Sequence, residues 1–286
     1  MRQAAFRKVE APALDNASVA SASNKAARNT WEHFAVGQQR ARAPQGTREY
    51  FDQIRAYRYG YETPFIPHLF EFASLRGKRV LEIGVGHGID GAEMARAGAR
   101  YSGIDITQNH LRLAQRNFEV QHLHGDFVMG DLTEVDVPGG PFDIVFSFGV
   151  LHHIAHEQEY LRRVRERLMT PGGQLRIAVY AKYIFFNAYL VASWMARASR
   201  MPLAAWQSHV AELSPIDAPV TIKIRSRAEV ERVLTSAGFR TVRYARRGFV
   251  QGNLPIIGRL LHPNGTTLNT LARALGWYHV FFCEAA

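Results

Sequence analysis

The fold of this chain is decided by the stretch Val80-Leu81-Glu82-Ile83-Gly84-Val85-Gly86-His87-Gly88-Ile89-Asp90. It predicts an apolar strand that runs into glycines at alternate positions and then into the start of a helix. Glycines at such a turn permit a tight backbone and let a ligand approach atoms that a Cβ would block. Glu82 lies at the carboxyl end of the strand, where open α/β sheets bind their ligands. The stretch therefore predicts a ligand site at the edge of a sheet.

Two further acids follow predicted strands. A second strand at Tyr101–Ile104 runs into Asp105, whose carboxylate is placed to accept hydrogen bonds from two ribose hydroxyls. A third strand begins at Asp126 and ends in Gly130-Asp131-Leu132. There a carboxylate can accept from an adenine amino group while the leucine packs on the ring. The two acids predict a nucleoside, and the glycines alone do not say which: they match GxGxG and also the dinucleotide pattern GxGxxG.

Five ordered segments resemble the class I S-adenosylmethionine-dependent methyltransferase family, in particular its small-molecule branch. They are LEIGVGHG (81–88), GIDIT (103–107), MGDL (129–132), FDIVFSFGVLHHI (142–154) and PGGQLRI (171–177). A capping box at Ser226-Arg227-Ala228-Glu229 and a last apolar strand at 276–282 agree with the family's tail. Five motifs in order are far more specific than one glycine turn, so this interpretation is preferred to a dinucleotide-dependent dehydrogenase.

The resemblance implies an α/β fold, a Rossmann-like doubly wound sheet of seven strands that is mostly parallel with an antiparallel last strand. N-terminal helices and a helical lid insertion are expected to complete it. We expect residues 1–60 to be an N-terminal extension with cover helices and 61–180 the cofactor-binding core. We expect residues 181–220 to form the lid and 221–286 the C-terminal part of the core sheet.

Element boundaries follow from the local pattern. The later core is predicted as a strand at 142–149, a helix at 156–169, a turn at 170–173, and strands at 174–180 and 240–249. Ahead of the core, Trp31, Phe34 and Val36 predict a short helix, and Thr47 is placed to cap a second. A third helix is predicted to open at Thr63-Pro64.

The resemblance also implies a cofactor, S-adenosyl-L-methionine, with S-adenosyl-L-homocysteine as product. The core residues expected to bind it are Glu82, Gly84, Gly86, Gly88, Asp105, Ile106, Asp131, Leu132, Ser147 and Phe148. From the N-terminal helices, Tyr50, Arg58 and Tyr59 are candidates to contact the methionine end, where an arginine could pair with the carboxylate. The alternative is that these side chains only pack the helices onto the sheet.

Transfer from a sulfonium is an in-line displacement that depends on positioning, and a hydroxyl acceptor also benefits from a base. His153 is the preferred catalytic candidate and His152 its alternative; a histidine that only holds the loop through the backbone is equally compatible. His152 and His156 have metal-ligand spacing on a helix, but no further acid completes a shell, so no metal is expected. We expect methylation of O, N or C on a small apolar or aromatic metabolite of a specialised-metabolite or isoprenoid pathway.

The insertion begins with an apolar, aromatic segment at 183–195 followed by Arg197 and Arg200. It predicts a lid over an apolar acceptor, with a buried helix or a membrane-surface helix as alternatives.

The chain has 286 residues, a net charge of +10 and one cysteine, Cys283, which suits a reducing cytoplasm. Its basic residues are scattered, so a small acceptor, apolar or anionic, is favoured over nucleic acid. No transmembrane segment is expected, and a homodimer is compatible. The alternatives are an RNA- or membrane-associated methyltransferase and a cofactor-binding module without activity.

Overall fold

The strands of the molecule form one seven-stranded sheet. In this computed structural model, which describes residues 27–33, 37–182, 184–212, 219–254, 257–262 and 265–286, the strands are β1 (Arg79–Ile83), β2 (Arg100–Asp105), β3 (Asp126–Met129), β4 (Phe142–Phe148), β5 (Met169–Tyr180), β6 (Phe239–Arg247) and β7 (Tyr278–Ala285). Their order is β3-β2-β1-β4-β5-β7-β6. Strands β1 to β5 pair in parallel, and β7 is antiparallel to both of its neighbours. The predicted fold class is confirmed.

Nine α-helices follow residue 37 in the described part of the chain. They are α1 (Arg48–Tyr57), α2 (Ile66–Leu69), α3 (Ile89–Arg96), α4 (Gln108–Val120), α5 (Glu157–Arg163), α6 (Ile184–Arg197), α7 (Leu203–Glu212), α8 (Arg227–Ser236) and α9 (Thr266–Leu275). Residues 27–33 are also helical, and π-helical turns continue α1 and α5 at Arg58–Glu62 and Val164–Leu168. Among these described helices, none is both long and apolar enough to cross a bilayer.

The order of the strands locates the ligand edge. β1 pairs with β2 on one side and with β4 on the other, so the strand order reverses beside β1. In open α/β sheets, this reversal leaves a crevice at the carboxyl ends of the strands. Because side chains alternate along a strand, Leu81 and Ile83 enter the core cluster on one face while Val80 enters the cluster on the other. Glu82 shares the face of Val80.

Several predicted boundaries need correction. The fifth strand starts at Met169 rather than 174, and the residues of the predicted Pro-Gly-Gly turn lie inside it. Its register against β4 shifts between Phe142 and Ile144, so the extra residues are accommodated as a bulge. The helix predicted to reach Met169 is an α-helix only as far as Arg163. A π-helical turn then follows at Val164–Leu168. The third N-terminal helix starts at Ile66, two residues beyond Pro64.

The N-terminal helices cover the glycine turn. Thr47 caps α1 as predicted, since its hydroxyl accepts from the Tyr50 amide at 3.2 Å. The apolar face of α1 buries Phe51 and Ile54 in a small cluster with Ile89, the first residue of α3. Trp31 lies in the helical segment 27–33, whereas Phe34 and Val36 fall outside the described residues. The chain preceding the core therefore reaches the edge of the sheet where β1 ends.

Candidate active site

The glycine turn after β1 has one glycine that faces open space. Gly84, Gly86 and Gly88 have φ values of 80°, 51° and 67°, a region that favours glycine. A Cβ on Gly84 would collide with the Val150 side chain, and one on Gly88 would lie 2.9 Å from the Ala114 Cβ. A Cβ on Gly86 would meet no described atom within 4 Å. Packing therefore requires glycine at 84 and 88, whereas at 86 the absent side chain leaves room for a ligand.

That space belongs to a cavity of about 560 Å³ at the carboxyl edge of the sheet. Small-molecule sites are typically about 300–1,000 Å³, so the cavity has room for a ligand of cofactor size. The predicted site residues that line it are Arg58, Glu82, Gly84, Gly86, Asp105, Ile106, Asp131, Leu132, Phe148 and His153. The others, Tyr50, Tyr59, Gly88, Ser147 and His152, are not among the lining residues. Three predicted carboxylates, one from the end of each of three neighbouring strands, thus converge on one cavity.

Glu82 is held from beneath the cavity. Its carboxylate accepts a hydrogen bond from the Tyr101 hydroxyl of β2 at 2.6 Å. Burial raises the pKa of Glu82 well above its usual range, and repulsion from Asp90 adds to the shift. A ligand that donates a hydrogen bond here would offset the cost of burying this group.

Asp105 is oriented by the turn that follows β2. One of its carboxylate oxygens, Oδ1, accepts from the amide and the hydroxyl of Thr107 at 2.9 and 2.8 Å. The other, Oδ2, lies 3.3 Å from the Gly86 amide and 3.4 Å from Nδ1 of His110. Burial alone would raise the pKa of Asp105, but the hydrogen bonds from His110 and Thr107 outweigh it and lower the pKa. The carboxylate therefore stays charged beside the glycine turn.

Asp131 and Leu132 come directly after β3, and both are buried at the cavity wall. Oδ1 of Asp131 accepts from the Thr133 amide at 2.8 Å and from the Thr133 hydroxyl at 2.7 Å. A carboxylate and an apolar side chain thus stand next to each other at the end of the sheet, as the Gly-Asp-Leu motif predicts.

The candidates from the N-terminal helices are engaged with the protein itself. Arg58 donates from Nε to Oδ1 of Asp90 at 2.9 Å and pairs through Nη2 with Oδ2. The Tyr59 hydroxyl donates to the same Asp90 at 2.6 Å, and the Tyr50 hydroxyl contacts Nε2 of His87 at 2.9 Å. Of these candidates, Arg58 lines the cavity. Contact of the three with a methionine carboxylate stays a prediction.

The far end of the cavity carries the predicted catalytic histidine. His153 follows β4, and its Nδ1 lies 2.7 Å from the carbonyl oxygen of Thr221. Because a carbonyl can only accept, Nδ1 carries the proton and Nε2 the lone pair. Burial lowers the pKa of His153 to about 4, and it lowers that of His152 to about 3. Both imidazoles are therefore neutral near pH 7. The role predicted for them in catalysis is a proposal below.

Three residues of this end were not singled out from the sequence. Glu212 is the last residue of α7, and Trp277 and Tyr278 precede and begin β7; all three line the cavity. Glu212 lies 59 positions beyond His153, and no local motif marks it. Trp277 and Tyr278 were predicted to lie at the start of the last strand, but their place in the site was not predicted, because only the register of β7 against β5 brings them beside Tyr180.

The part of the insertion that reaches the cavity is not the apolar segment from which the lid was predicted. The apolar segment forms α6, yet none of its described side chains lines the cavity, and Tyr189 and Met195 are 57% and 66% exposed. The residues of the insertion that reach the cavity are Ala211 and Glu212, at the end of α7. Tyr183, with which the segment begins, lies outside the described residues. Whether the insertion closes over an acceptor stays a prediction.

Comparison with known proteins identifies the core. Residues 80–173 match the family model described as a methyltransferase domain. The chain is 31% identical over 162 residues to the phthiotriol/phenolphthiotriol dimycocerosates methyltransferase 1 of Mycobacterium ulcerans, covering 56% of this chain and 55% of that protein. It is 28% identical over 117 residues to the ubiquinone biosynthesis O-methyltransferase of Coxiella burnetii, covering 41% of this chain and 49% of that protein. The chain thus spans about half the length of these curated relatives.

Solved structures share the fold. Magnesium protoporphyrin IX methyltransferase from Synechocystis, with bound SAH, aligns with a TM-score of 0.53 at 17% identity, covering 95% of this chain and 100% of that one. An S-adenosylmethionine-dependent methyltransferase from Aquifex aeolicus aligns with a TM-score of 0.52 at 15% identity, covering 84% and 98%. These structures confirm the fold that the five motifs predict, and the methyltransferase family model matches the part of the chain that carries four of those motifs and the start of the fifth.

Proposed function

We propose that this chain, whose residues 80–173 form a methyltransferase domain of the class I S-adenosylmethionine-dependent type, methylates a small molecule. One observation carries the proposal: Glu82, Asp105 and Asp131 come from three successive strand ends and line the same cavity as the open glycine, Gly86. Hydrogen-bond acceptors at this edge suit a ligand rich in hydroxyl and amino donors, such as an adenosine with an amino acid attached.

The residues present fit S-adenosyl-L-methionine. We assign the ribose hydroxyls to Asp105, the adenine to Asp131 and Leu132, and the amino acid end to the glycine turn with Glu82. The methyl group of the sulfonium is the only chemistry the cofactor supplies. What the protein supplies is position: the buried strand ends and helix α3 fix these contacts before any ligand arrives, which is the larger part of catalysis in a displacement of this kind.

The acceptor is proposed to be a small apolar or aromatic metabolite. The end of the cavity next to His153 is walled by aromatic rings, those of Trp31, Tyr180, Trp277 and Tyr278. The Trp31 and His153 rings meet edge to face with centroids 5.6 Å apart, and those of Tyr180 and Trp277 lie 4.7 Å apart. Such walls bind a flat or apolar molecule and exclude water from the reacting atoms. The names of two relatives, a phthiotriol/phenolphthiotriol dimycocerosates methyltransferase and a ubiquinone biosynthesis O-methyltransferase, support this class.

His153 is proposed to contact the acceptor. Its neutral Nε2 can accept a hydrogen bond from an acceptor hydroxyl and so fix the direction of the oxygen. A base whose pKa is about 4 holds a proton poorly at neutral pH, which favours a positioning contact or an acceptor that loses its proton readily. His152, which lies behind Tyr180, is the second candidate.

The experiment is a calorimetric titration of the purified chain with S-adenosylmethionine and S-adenosylhomocysteine. We expect one site per chain, and then transfer of labelled methyl groups to a small-molecule extract but not to bulk RNA. A folded chain that binds neither compound would refute the proposed methyltransferase activity and favour a module without enzymatic activity. If the labelled methyl groups appear in RNA and not in the extract, the acceptor is RNA and the proposed class of small-molecule acceptor is wrong.

A further inference from the structure

Three buried polar side chains meet at the acceptor end of the cavity without satisfying one another. Within the part of the chain that the structure describes, neither ring nitrogen of His152 has a hydrogen-bond partner, and Oε1 of Glu212 has none. His152 is 2% exposed and Glu212 is 7% exposed. Buried polar atoms are almost always paired, because an unpaired one bears the cost of its lost hydration. The cluster therefore has the capacity to bind a further partner.

The geometry of the cluster is that of a set of ligands around a common point. Oε1 of Glu212 lies 3.6 Å from Nε2 of His153 and 3.8 Å from Nε2 of His152. The potential ligand atoms of the three residues all lie within 4.8 Å of one another. These separations are too long for hydrogen bonds. Ligand atoms about 2.0–2.1 Å from a zinc ion lie about 3.4 Å apart in a tetrahedral site. The two distances to Glu212 are already within a few tenths of an ångström of that value, and the remaining one needs a contraction of at most about 1.4 Å.

The surroundings orient His153 as a ligand. Its Nδ1 donates to the carbonyl oxygen of Thr221 at 2.7 Å, which fixes the ring and aims the lone pair of Nε2 at Glu212. A backbone carbonyl on the second nitrogen is the usual outer-shell partner of a metal-bound histidine. The ring of His152 is fixed by stacking on Tyr180, with centroids 4.0 Å apart and an interplanar angle of 25°.

We propose that His152, His153 and Glu212 form a site for a divalent first-row transition metal ion of the zinc class. Two imidazoles and one carboxylate are a three-residue set typical of catalytic zinc, which keeps one position open. His153 and Glu212 both line the cavity, so the open position faces the acceptor end. An oxygen of the acceptor fits that position; this last point rests on the proposed function, whereas ion binding does not. With an ion bound, Nε2 of His153 contacts the ion instead of the acceptor.

The neighbouring charges permit a cation. Lys223 and Arg225 lie on the far side of His152 and would repel an ion, but both are paired with Glu157, at 3.4 Å for Lys223 and through both guanidinium nitrogens for Arg225. A cation at the cluster would in turn compensate the buried carboxylate of Glu212, which has no basic side chain at salt-bridge distance other than the two histidines among the described residues.

The test is metal binding by the full chain, independent of methyl transfer. After treatment with a chelator, the chain is titrated with Zn²⁺ by calorimetry and with Co²⁺ by visible absorption. We expect one ion per chain and a Co²⁺ spectrum of low coordination number. The variants His152→Ala and Glu212→Gln should each weaken binding by at least about 100-fold, the upper end of the loss caused by removing an outer-shell partner.

The control is His209→Ala, which removes a histidine from the same helix as Glu212 and should leave the affinity for Zn²⁺ unchanged. Circular dichroism confirms that each variant is folded. No ion bound by the folded wild-type chain, or equal affinity in all three variants, would overturn the site and leave a histidine–glutamate contact. Binding of S-adenosylhomocysteine is measured on the same wild-type sample: a folded wild-type chain that binds Zn²⁺ but not S-adenosylhomocysteine refutes the proposed donor site, and one that binds S-adenosylhomocysteine but not Zn²⁺ refutes only the metal site.

Discussion

At the scale of single residues, the assignment of the ribose depends on Asp105. Replacing it with asparagine keeps the shape of the side chain but removes the charge and puts two donors where ribose hydroxyls also donate. We expect Asp105→Asn to weaken binding of S-adenosylhomocysteine by at least about tenfold, or about 1.4 kcal/mol, measured by calorimetry. Asp126→Asn, at the exposed start of β3, is the control.

Because Asp105 also accepts from Thr107 and lies near the Gly86 amide, the melting temperature of the variant is measured alongside. A folded Asp105→Asn protein with the affinity of the wild type would show that the ribose lies elsewhere.

Two glycines of the same turn should respond differently to one added methyl group. Gly86 and Gly88 both have positive φ, so alanine strains the backbone at each by about 1–2 kcal/mol. At Gly88 the new Cβ would also press on Ala114 of α4, whereas at Gly86 it would enter the cavity. We expect Gly88→Ala to lose more stability in urea unfolding and Gly86→Ala to lose more affinity for the cofactor. The reverse order would mean that the cavity beside Gly86 is not where the cofactor binds.

At this scale, the sequence predicted those site residues whose position depends on a local motif. The glycines, Asp105 and Asp131 each stand next to the strand that carries them, so the fold class places them. Glu212 could not be found in this way, because its place beside His153 depends on how α7 packs. Arg58 was a candidate from the sequence, but its pairing with Asp90 could not be predicted, because it depends on the angle at which α1 crosses α3.

At the scale of elements, the turn after α1 is attached to α3 by a buried ion pair. Arg58 and Asp90 have side-chain exposures of 19% and 4%, and Asp90 in turn lies close enough to raise the pKa of Glu82. Removing one partner of a buried pair typically costs about 3–5 kcal/mol, because the other charge is left without compensation. We expect Arg58→Met to lose stability in this range in urea unfolding and Arg58→Met/Asp90→Asn to recover part of it.

The exposed pair Arg48–Asp52, at 3.9 Å, provides the comparison: Arg48→Met should change stability by less than about 1 kcal/mol. A double variant no more stable than Arg58→Met would show that the ion pair is not what attaches the turn.

Helices and strands were predicted well where apolar residues recur with helical or strand periodicity. They were predicted poorly where tertiary contacts determine their bounds or orientation. β1, β2 and the capped helices α1 and α8 follow their apolar patterns and caps closely, and the Ser226 capping box is present. The Pro-Gly-Gly segment has turn chemistry, yet its neighbours pair with β4 and β7 and keep it within β5 as a bulge. The apolar segment of α6 predicted a helix, but its pattern could not tell which side would face the cavity.

At the scale of the whole molecule, stability should depend on pH through buried histidines. Burial lowers the pKa of His87 to about 3 and that of His279 to about 4, against about 6.5 in an unfolded chain. Between these values the unfolded chain binds more protons than the folded one, so the free energy of unfolding falls as the pH falls. The stabilisation is complete above pH 6.5 and is lost toward pH 4 for His279 and toward pH 3 for His87. Glu82, whose pKa burial raises, acts in the opposite sense.

His279 separates these contributions because it lies outside the cavity, between the Tyr244 hydroxyl at 2.8 Å and the Arg225 carbonyl oxygen at 3.0 Å. Glutamine cannot be protonated, so His279→Gln removes its part of the pH dependence. We expect urea unfolding between pH 6.5 and 4 to show a slope shallower than that of the wild type by up to about 1.4 kcal/mol per pH unit. His124→Gln, at an exposed position, should leave the slope unchanged. If His279→Gln and the wild type have equal slopes, the imidazole takes up its proton in the folded chain as readily as in the unfolded one, and its burial on β7 between β5 and β6 does not keep it neutral.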